Sequence, residues 1–377
     1  MMEQVWLSRC GGYAPEELLR QVEEAFDALG VWDQLKPGMT VVIKPNLVIS
    51  SKPDNAIATH PALVAAVGKC VQKAGASVVI AESPGGPFTP AAMKAVFRGC
   101  GYTEMAKECG FTLYTECKSR EVSLPGAVRC RQLSVVEPFL TRDYLIDLAK
   151  LKTHSMVGFS GAVKNLFGAV PGLQEPELHC RFPEKLPFSQ MLVDLCDFLK
   201  PDLCFLDGIL AMEGNGPTGG NPRKMGVLGA SKSPYALDVC GAALIGLSPE
   251  SILMLKEANL RGLGPISPEE CQLVKEKVEA LAQPDFRKAE ASSTDFIDRL
   301  PKFLRPAAKK IATPTPKIRR KECVGCGKCA ESCPQHTISI QDGKAVIDYR
   351  KCIRCFCCHE MCPKHVIDIR RWSLLHF

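Results

Sequence analysis

Nine cysteines between Cys323 and Cys362 form two copies of one motif. The segments CVGCGKCAESCPQHTISI (323–340) and CIRCFCCHEMCPKHVIDI (352–369) superimpose without a gap at an offset of 29 residues. Each copy reads C-x2-C-x2-C-x3-C-P, and Cys357 is the extra cysteine because it aligns with Lys328. With this spacing three thiolates hold one iron–sulfur cubane, while the fourth, beyond the turn at proline, reaches a neighbouring one. Zinc ribbons also use CxxC pairs, but two complete four-cysteine runs favour iron.

The cysteine-rich segment resembles a bacterial-type ferredoxin with two 4Fe-4S clusters. The resemblance implies that one cluster is held by Cys323, Cys326, Cys329 and Cys362, and the other by Cys352, Cys355, Cys358 and Cys333. Such clusters transfer single electrons at low potential, so the segment is expected to be an electron relay. A purely architectural role for the clusters is the alternative. Cys357 is expected to pack beside its cluster and would become a ligand only if the geometry shifts.

Two apolar strand candidates end in a lysine followed by polar side chains. The first is VVIKPN, with Lys44 and Asn46, and the second is KLKTH, with Lys152 and His154. In an open parallel sheet the carboxyl ends of the strands form the edge at which ligands bind. A neutral imidazole at His154 could serve as an acid–base group or as a metal ligand.

The glycine-rich segment SMVGFSGAVKNLFGAVPG (155–172) follows the second of these strands and contains Lys164 and Asn165. A glycine-rich turn that leads into a short helix presents free backbone N–H groups, so a small anionic substrate could bind here. Solvent-exposed lysines are the alternative interpretation. Asp238 interrupts an apolar helix face and is a candidate for orienting one of the cations.

The loop MEGNGPTGGNPRK (212–224) contains a G-x-G-x-x-G match, but prolines interrupt the match and a strand follows it. Because a dinucleotide-binding turn needs a helix there, we interpret it as a ligand-facing loop with Glu213 and Asn215 at its tip. ESPGG (82–86) is a second candidate loop of this kind. His60 precedes Pro61 at a helix start, where capping is at least as expected as catalysis.

Residues 1–285 alternate between apolar, β-branched runs and amphipathic segments. The predicted strands are 39–45, 76–83, 144–152, 203–210 and 224–231, and the predicted helices are 15–30, 60–75, 189–200 and 233–246. This alternation predicts an α/β domain, a mostly parallel sheet with helices on both faces. Proline and basic residues then indicate a linker over 286–318, with a short helix near 294–304. Residues 319–372 are predicted to form a small α+β ferredoxin-like domain with a pseudo-two-fold repeat, in which Asp342-Gly343 signals a hairpin.

Taken as a set, KPN, HP, ESPGG, LKTH, AVKNLFG and EGNGP resemble domain-of-unknown-function family 362, which is often fused to ferredoxin modules. The resemblance implies an α/β iron–sulfur protein whose reaction is not established. The leading hypothesis is an oxidoreductase that passes electrons to or from a ligand at the sheet edge. The alternatives are a non-catalytic electron-transfer subunit, and a non-redox enzyme or metallocentre assembly factor with structural clusters.

Composition and charge indicate the cellular location and the redox environment in which the protein is expected to work. The chain has 377 residues, 46% hydrophobic content and a net charge of +6, with no motif that accompanies nucleic-acid binding. It lacks an apolar run of membrane-spanning length and an N-terminal signal pattern, so we expect a cytoplasmic protein. Eleven further cysteines are scattered from Cys10 to Cys271, which suggests a reducing and even anaerobic cell. The basic run Lys317 to Lys321 is either a solvated linker or a surface that steers an acidic redox partner.

Overall fold

The computed structural model describes residues 2–172, 174–289 and 314–370. The strands of the large domain are β1 (Glu3–Arg9), β2 (Thr40–Pro45), β3 (Ser77–Ile80), β4 (Thr112–Leu113), β5 (Ser119–Ser123), β6 (Gln132–Val136), β7 (Tyr144–His154), β8 (Gly158–Ser160), β9 (Leu203–Glu213), β10 (Asn221–Ser231) and β11 (Cys271–Lys275). Its helices are α1 (Pro15–Ala28), α2 (Pro61–Lys73), α3 (Pro90–Gly99), α4 (Tyr102–Cys109), α5 (Pro138–Thr141), α6 (Ala162–Asn165), α7 (Gln174–Arg181), α8 (Lys185–Leu199), α9 (Pro234–Leu244), α10 (Leu253–Leu260) and α11 (Val278–Leu281).

One nine-stranded sheet organises the large domain. Its strand order is β11-β1-β10-β9-β7-β2-β3-β4, with β8 paired to β7. Among the described strands of this sheet, β8 and β10 pair antiparallel with their neighbours, and the remaining pairs are parallel. The predicted α/β class and mostly parallel sheet are therefore confirmed.

The sheet has a hydrophobic core on each face, because alternate residues of a strand point to opposite sides. In β7, Leu145 and Ala149 belong to the core formed with α8, α9 and α10, whereas Ile146 and Leu148 belong to the core formed with α1, α2 and α4. Helices therefore cover both faces. This double cover buries both faces of the central strands.

The predicted central elements occur close to their predicted bounds, with two informative differences. β3 stops at Ile80, so residues 81–83 are a loop and not the end of a strand. Strand β1 and the separate hairpin of β5 and β6 are not among the predicted elements. The helix predicted near 294–304 lies outside the described residues.

The C-terminal module repeats its elements at the offset seen in the sequence. The strands are β12 (Thr315–Ile318), β13 (Ile338–Gln341), β14 (Lys344–Ile347) and β15 (Ile367–Arg370), and the helices are α12 (Lys328–Glu331) and α13 (Cys357–Glu360). Every element of the first half recurs 29 residues later, and the halves exchange strands, because β12 pairs with β15 and β13 with β14. Asp342 and Gly343 form the predicted two-residue hairpin, with φ angles of 50° and 69°.

Strand β12 lies inside the range 286–318 that the sequence predicts to be a linker. Because β12 pairs with β15, the paired structure of the module begins before the predicted boundary at 319. At the other end of that range, Phe286 is buried in the large-domain core. Within the described ranges, no helix combines the length and the apolar character needed to cross a bilayer.

Candidate functional site

Two cavities in the C-terminal module are lined by the two predicted sets of four cysteines. The first cavity is lined by Cys323, Cys326, Cys329 and Cys362. The second is lined by Cys333, Cys352, Cys355 and Cys358. Each set takes three cysteines from one half of the repeat and one from the other, which is the donor arrangement of a 4Fe-4S cluster in this motif.

Backbone N–H groups already point at two of these sulfur atoms. The amide nitrogens of Ala345 and Thr337 lie 3.4 Å from the sulfurs of Cys323 and Cys333, respectively. Such donors stabilise a thiolate, so the residues present fit an iron–sulfur cluster. Cys357 also borders the second cavity, but its contact with Cys355 and its burial raise the pKa of its thiol.

At the carboxyl edge of the large sheet, Lys44 forms a buried ion pair. Its Nζ lies 2.6 Å from Oε2 of Glu82, with side-chain exposures of 0% and 3%. Burial raises the pKa of Glu82 to about 7, although Lys44 opposes the rise. Glu82 opens the ESPGG segment, so this predicted loop supplies the partner of Lys44.

A chain of amide hydrogen bonds connects the remaining predicted residues. Lys152 Nζ donates to Asn46 Oδ1 (2.5 Å), Asn46 Nδ2 donates to Asn165 Oδ1 (2.9 Å), and Asn165 Nδ2 donates to Asp147 Oδ1 (2.7 Å). Lys152 also donates to the carbonyl of Ile57 and is fully buried. No carboxylate of the described residues lies within 4.0 Å of its ammonium group. Burial lowers the pKa of Lys152 well below its usual value.

The geometry of His154 defines which chemistry it can perform. Its Nδ1 accepts hydrogen bonds from the backbone N–H groups of Met156 (3.0 Å) and Val157 (3.4 Å). The neutral ring therefore carries its proton on Nε2, which lies 3.4 Å from Oε1 of Glu360. Burial lowers the pKa of His154 well below 6.5. A neutral N–H donor is thus favoured over the predicted metal ligand, since Nδ1 is already occupied.

Lys164 lies on the short helix α6, whose first turn is fixed by Asp238. The carboxylate of Asp238 accepts hydrogen bonds from the backbone N–H groups of Ala162 (2.6 Å) and Val163 (2.9 Å). Asp238 therefore orients the helix that carries Lys164 and not a cation directly, which corrects the prediction. The ammonium group of Lys164 lies 5.6 Å from the centre of the Phe167 ring.

The C-terminal module packs against this edge through α13 and the residue after it. His359 Nε2 lies 3.0 Å from the carbonyl oxygen of Asn215, and Thr218 Oγ1 donates to the carbonyl of Glu360 at 3.0 Å. A Cβ atom on Gly85 would lie 2.8 Å from the sulfur of Met361, so a side chain there would displace the end of the Met361 side chain from this close contact. The loop predicted to face a ligand therefore contacts the cluster-binding module.

A polar cavity lies between the sheet edge and α13. The side chains that give it its charge and hydrogen-bonding character are Asn46, Glu82, Lys164, Asn165, Glu175 and Glu360. Its volume of about 40 Å³ admits a ligand no larger than a few atoms. Burial raises the pKa values of Glu175 and Glu360, with Lys164 opposing both changes.

Among the predicted ligand-binding residues, Lys164, Asn46 and Asn165 line this cavity, while Lys44, Lys152 and His154 lie in contact with residues that line it. Glu213 is placed elsewhere, because its carboxylate is bound by Arg223 and Arg287. His60 caps α2, with Nδ1 accepting from the N–H of Ala62 at 3.2 Å.

Two acidic residues of the cavity were missed by sequence reasoning. Glu360 occupies a variable position between two motif cysteines, and Glu175 follows the glycine-rich segment without any motif of its own. Within the part of the chain that the structure describes, no three His, Cys, Asp or Glu side chains are placed to hold a single metal ion.

Comparison with known proteins agrees with this two-part architecture. Residues 41–243 match the family model "Domain of unknown function (DUF362)", and residues 315–363 match a "4Fe-4S dicluster domain". The "Thylakoid-associated protein sll1697" of Synechocystis sp. is 32% identical over 271 residues, which are 71% of this chain and 83% of that protein.

Two solved structures show a distant likeness. The lactate racemase apoprotein of Thermoanaerobacterium thermosaccharolyticum aligns with a TM-score of 0.41 at 15% identity, over 65% of this chain and 57% of that one. A Thermotoga maritima protein aligns with a TM-score of 0.35 at 10% identity, over 57% of this chain and 55% of that one. This chain thus spans less than two thirds of either structure. The family match covers more than half of the chain, so the protein belongs to the DUF362 family and carries a C-terminal 4Fe-4S dicluster domain.

Proposed function

We propose that the protein is an iron–sulfur oxidoreductase that passes single electrons between two 4Fe-4S clusters and a small anionic ligand in the polar cavity. The observation that carries this proposal is the position of α13. Cys358 on this helix lines the second cysteine cavity, and Glu360, two residues later, lines the polar cavity. One short helix therefore belongs to both sites, which is the proximity that electron transfer to a bound ligand needs.

The residues in and beside the cavity have four roles in this proposal. Lys164 supplies the positive charge for an anion, because no carboxylate of the described residues lies within 4.0 Å of its ammonium group. His154, beside the cavity, directs its neutral N–H toward Glu360, and the amides of Asn46 and Asn165 hold the ligand and Lys152 in position. Glu360 is the carboxyl group closest to His154 and is placed to accept or return a proton. The clusters, when bound, supply one-electron transfer at low potential.

The size of the cavity favours a small ligand. A volume of about 40 Å³ is close to that of one or two water molecules, so the docked arrangement suits a small oxyanion or carboxylate. A larger substrate would require the C-terminal module to move away from the sheet edge. The ligand class tested first is therefore formate, carbonate, nitrite, sulfite and acetate.

The test uses cluster-loaded protein prepared without oxygen and reduced chemically. Each anion is added separately, and the paramagnetic spectrum and the rate of cluster reoxidation are recorded. We expect at least one anion to alter the spectrum or accelerate reoxidation, and Lys164→Ala to abolish that response while keeping its iron content. Lys94→Ala, an exposed lysine on α3, is the control and should respond like the wild type.

An unchanged spectrum with every anion, or an equal response in Lys164→Ala, would refute the oxidoreductase proposal. The first result would favour the electron-transfer subunit, in which the large domain docks a partner and binds no substrate. Protein that functions equally well without a reductant would favour a structural or assembly role.

We also infer a reducing, cytoplasmic setting. All twenty cysteines lie in the described part of the chain, and none forms a disulfide there. The printed name of the Synechocystis relative makes a membrane-surface location the alternative. Cell fractionation with an antibody distinguishes the two, since membrane-bound material released only by high salt would overturn the cytoplasmic assignment.

A further inference from the structure

The two halves of the cluster-binding module face different surroundings. In the second half, Cys355 and Cys358 are buried, and α13 contacts the large domain. In the first half, Cys326 is the one exposed cysteine among the nine that line the two cavities. We call the first cavity the outer site and the second cavity the inner site.

Exposed apolar side chains surround the outer site. Val324 is 58% exposed and Ile340 is 41% exposed, and both line the cavity that also contains Cys326. Exposed aliphatic residues beside an electron-carrying centre form a surface that a protein partner can cover. The corresponding residue of Val324 in the inner half, Ile353, is only partly exposed.

The rim of this surface is basic. Arg320, Lys321 and Lys364 are exposed, and none has a carboxylate within 4.0 Å among the described residues. Two exposed acidic residues lie nearby, Glu322 and Asp342 on the hairpin turn, but Glu322 is paired with Arg319 at 2.9 Å, so the rim keeps a positive excess. By contrast, Lys328 is already paired with Glu331 at 2.9 Å.

We propose that the outer site is the docking surface for an acidic one-electron carrier protein, and that the inner site relays electrons between the outer site and the cavity of the large domain. The proposal rests on the proposed function and adds the partner and the direction of entry. The outer cysteines would hold the cluster that accepts one electron from the reduced centre of the partner, and this transfer would need no change in any bond or proton position. Basic rim residues steer the partner, and the apolar pair excludes water at the contact.

The charge test measures binding of an acidic flavodoxin to cluster-loaded, full-length protein, by calorimetry, in the absence of any substrate. The double variant Arg320→Glu/Lys321→Glu should weaken binding about tenfold or more at low salt, and the difference should shrink at high salt. The matched control is Lys69→Glu/Lys94→Glu, which changes the net charge equally on the exposed faces of α2 and α3. Binding of the control should remain within about twofold of the wild type.

The apolar contact is tested by Val324→Ser/Ile340→Ser, which should weaken binding about tenfold at both salt concentrations. Val128→Ser, at a residue of similar exposure on the large domain, should have no effect. Equal losses in the variants and their controls would overturn the docking surface. In Arg320→Glu/Lys321→Glu, a small neutral mediator should reduce the clusters at the wild-type rate. A slower rate would mean that Arg320 and Lys321 change the properties of the cluster and do not bind the partner.

Failure of this proposal is distinguishable from failure of the proposed function. Lys164→Ala should bind flavodoxin with unchanged affinity while losing the anion response. If the anion response is normal but flavodoxin binds the Arg320→Glu/Lys321→Glu variant as tightly as the wild type, the docking surface is refuted and the proposed function is not.

Discussion

Replacing Lys44 by methionine should lower the free energy of unfolding of the large domain by about 3–5 kcal/mol, because it leaves Glu82 as a buried carboxylate without its cation. The two groups are 2.6 Å apart and almost fully buried, so water cannot take over the role of Lys44. For a domain of about 290 residues the unfolding entropy is roughly 0.6 kcal/mol per kelvin. The melting temperature should therefore fall by about 5–8 °C.

The double variant Lys44→Met/Glu82→Gln should recover more than half of this loss, since it removes the orphaned charge and keeps the size of both side chains. The assay is thermal unfolding followed by circular dichroism at pH 8, without oxygen and at one scan rate. Lys118→Met is the matched control, because the Lys118–Glu116 pair has the same 2.6 Å separation but is 65% and 62% exposed. The control should melt close to the wild type, because an exposed ion pair contributes little to stability.

Two results would contradict the reasoning. If Lys44→Met and Lys118→Met lost the same stability, burial would not be the source of the effect. If the double variant were as unstable as Lys44→Met, the loss would come from packing around the lysine stem and not from the unpaired carboxylate.

Three further predictions address pH, docking and cluster ligation. Burial lowers the pKa of His179 in the folded protein to about 3, whereas the unfolded chain keeps the ordinary value of about 6.5. As the pH falls below about 6.5, the proton therefore binds the unfolded chain first and lowers the stability of the fold. Between pH 8 and pH 5, the free energy of unfolding of the wild type should fall by about 2 kcal/mol more than that of His179→Phe. The measurement compares the unfolding free energies of the two proteins at both pH values. Gly219→Ala places a Cβ atom 2.3 Å from the ring of His359, and should expose the module contact to faster hydrogen exchange while the sheet core stays protected. Cys357→Ser should keep its full iron content, whereas Cys358→Ser should lose about half, determined by iron analysis.

The sequence predicts which cysteines line each cavity, because the information is local. The spacing of the motif determines which thiolates share a cavity, and the 29-residue repeat reappears in every strand and helix of the module. The sequence also predicts that Lys44 and Lys152 lie at the same edge of the sheet, since the carboxyl ends of parallel strands meet there.

The remaining features depend on contacts between distant residues. Nothing near Lys44 in the sequence shows that its partner is Glu82, 38 residues away, and nothing near Glu213 shows that it binds Arg287. The sequence does not single out Glu360, because the cysteine motif accepts any residue at the positions between its cysteines. Strand β10 was recognised from its pattern, but its antiparallel direction follows from the long-range order of the sheet.

The amide chain from Lys152 to Asp147 runs in a single direction, because Lys152 donates, each asparagine accepts from the side of Lys152 and donates toward Asp147, and Asp147 accepts. Turning either asparagine amide over would break two bonds at once, so the chain resists reorientation as a unit. It therefore forms a preorganised dipole beneath the cavity. The amide dipoles would already be aligned when charge develops on a bound molecule, so electron transfer would need little reorganisation energy.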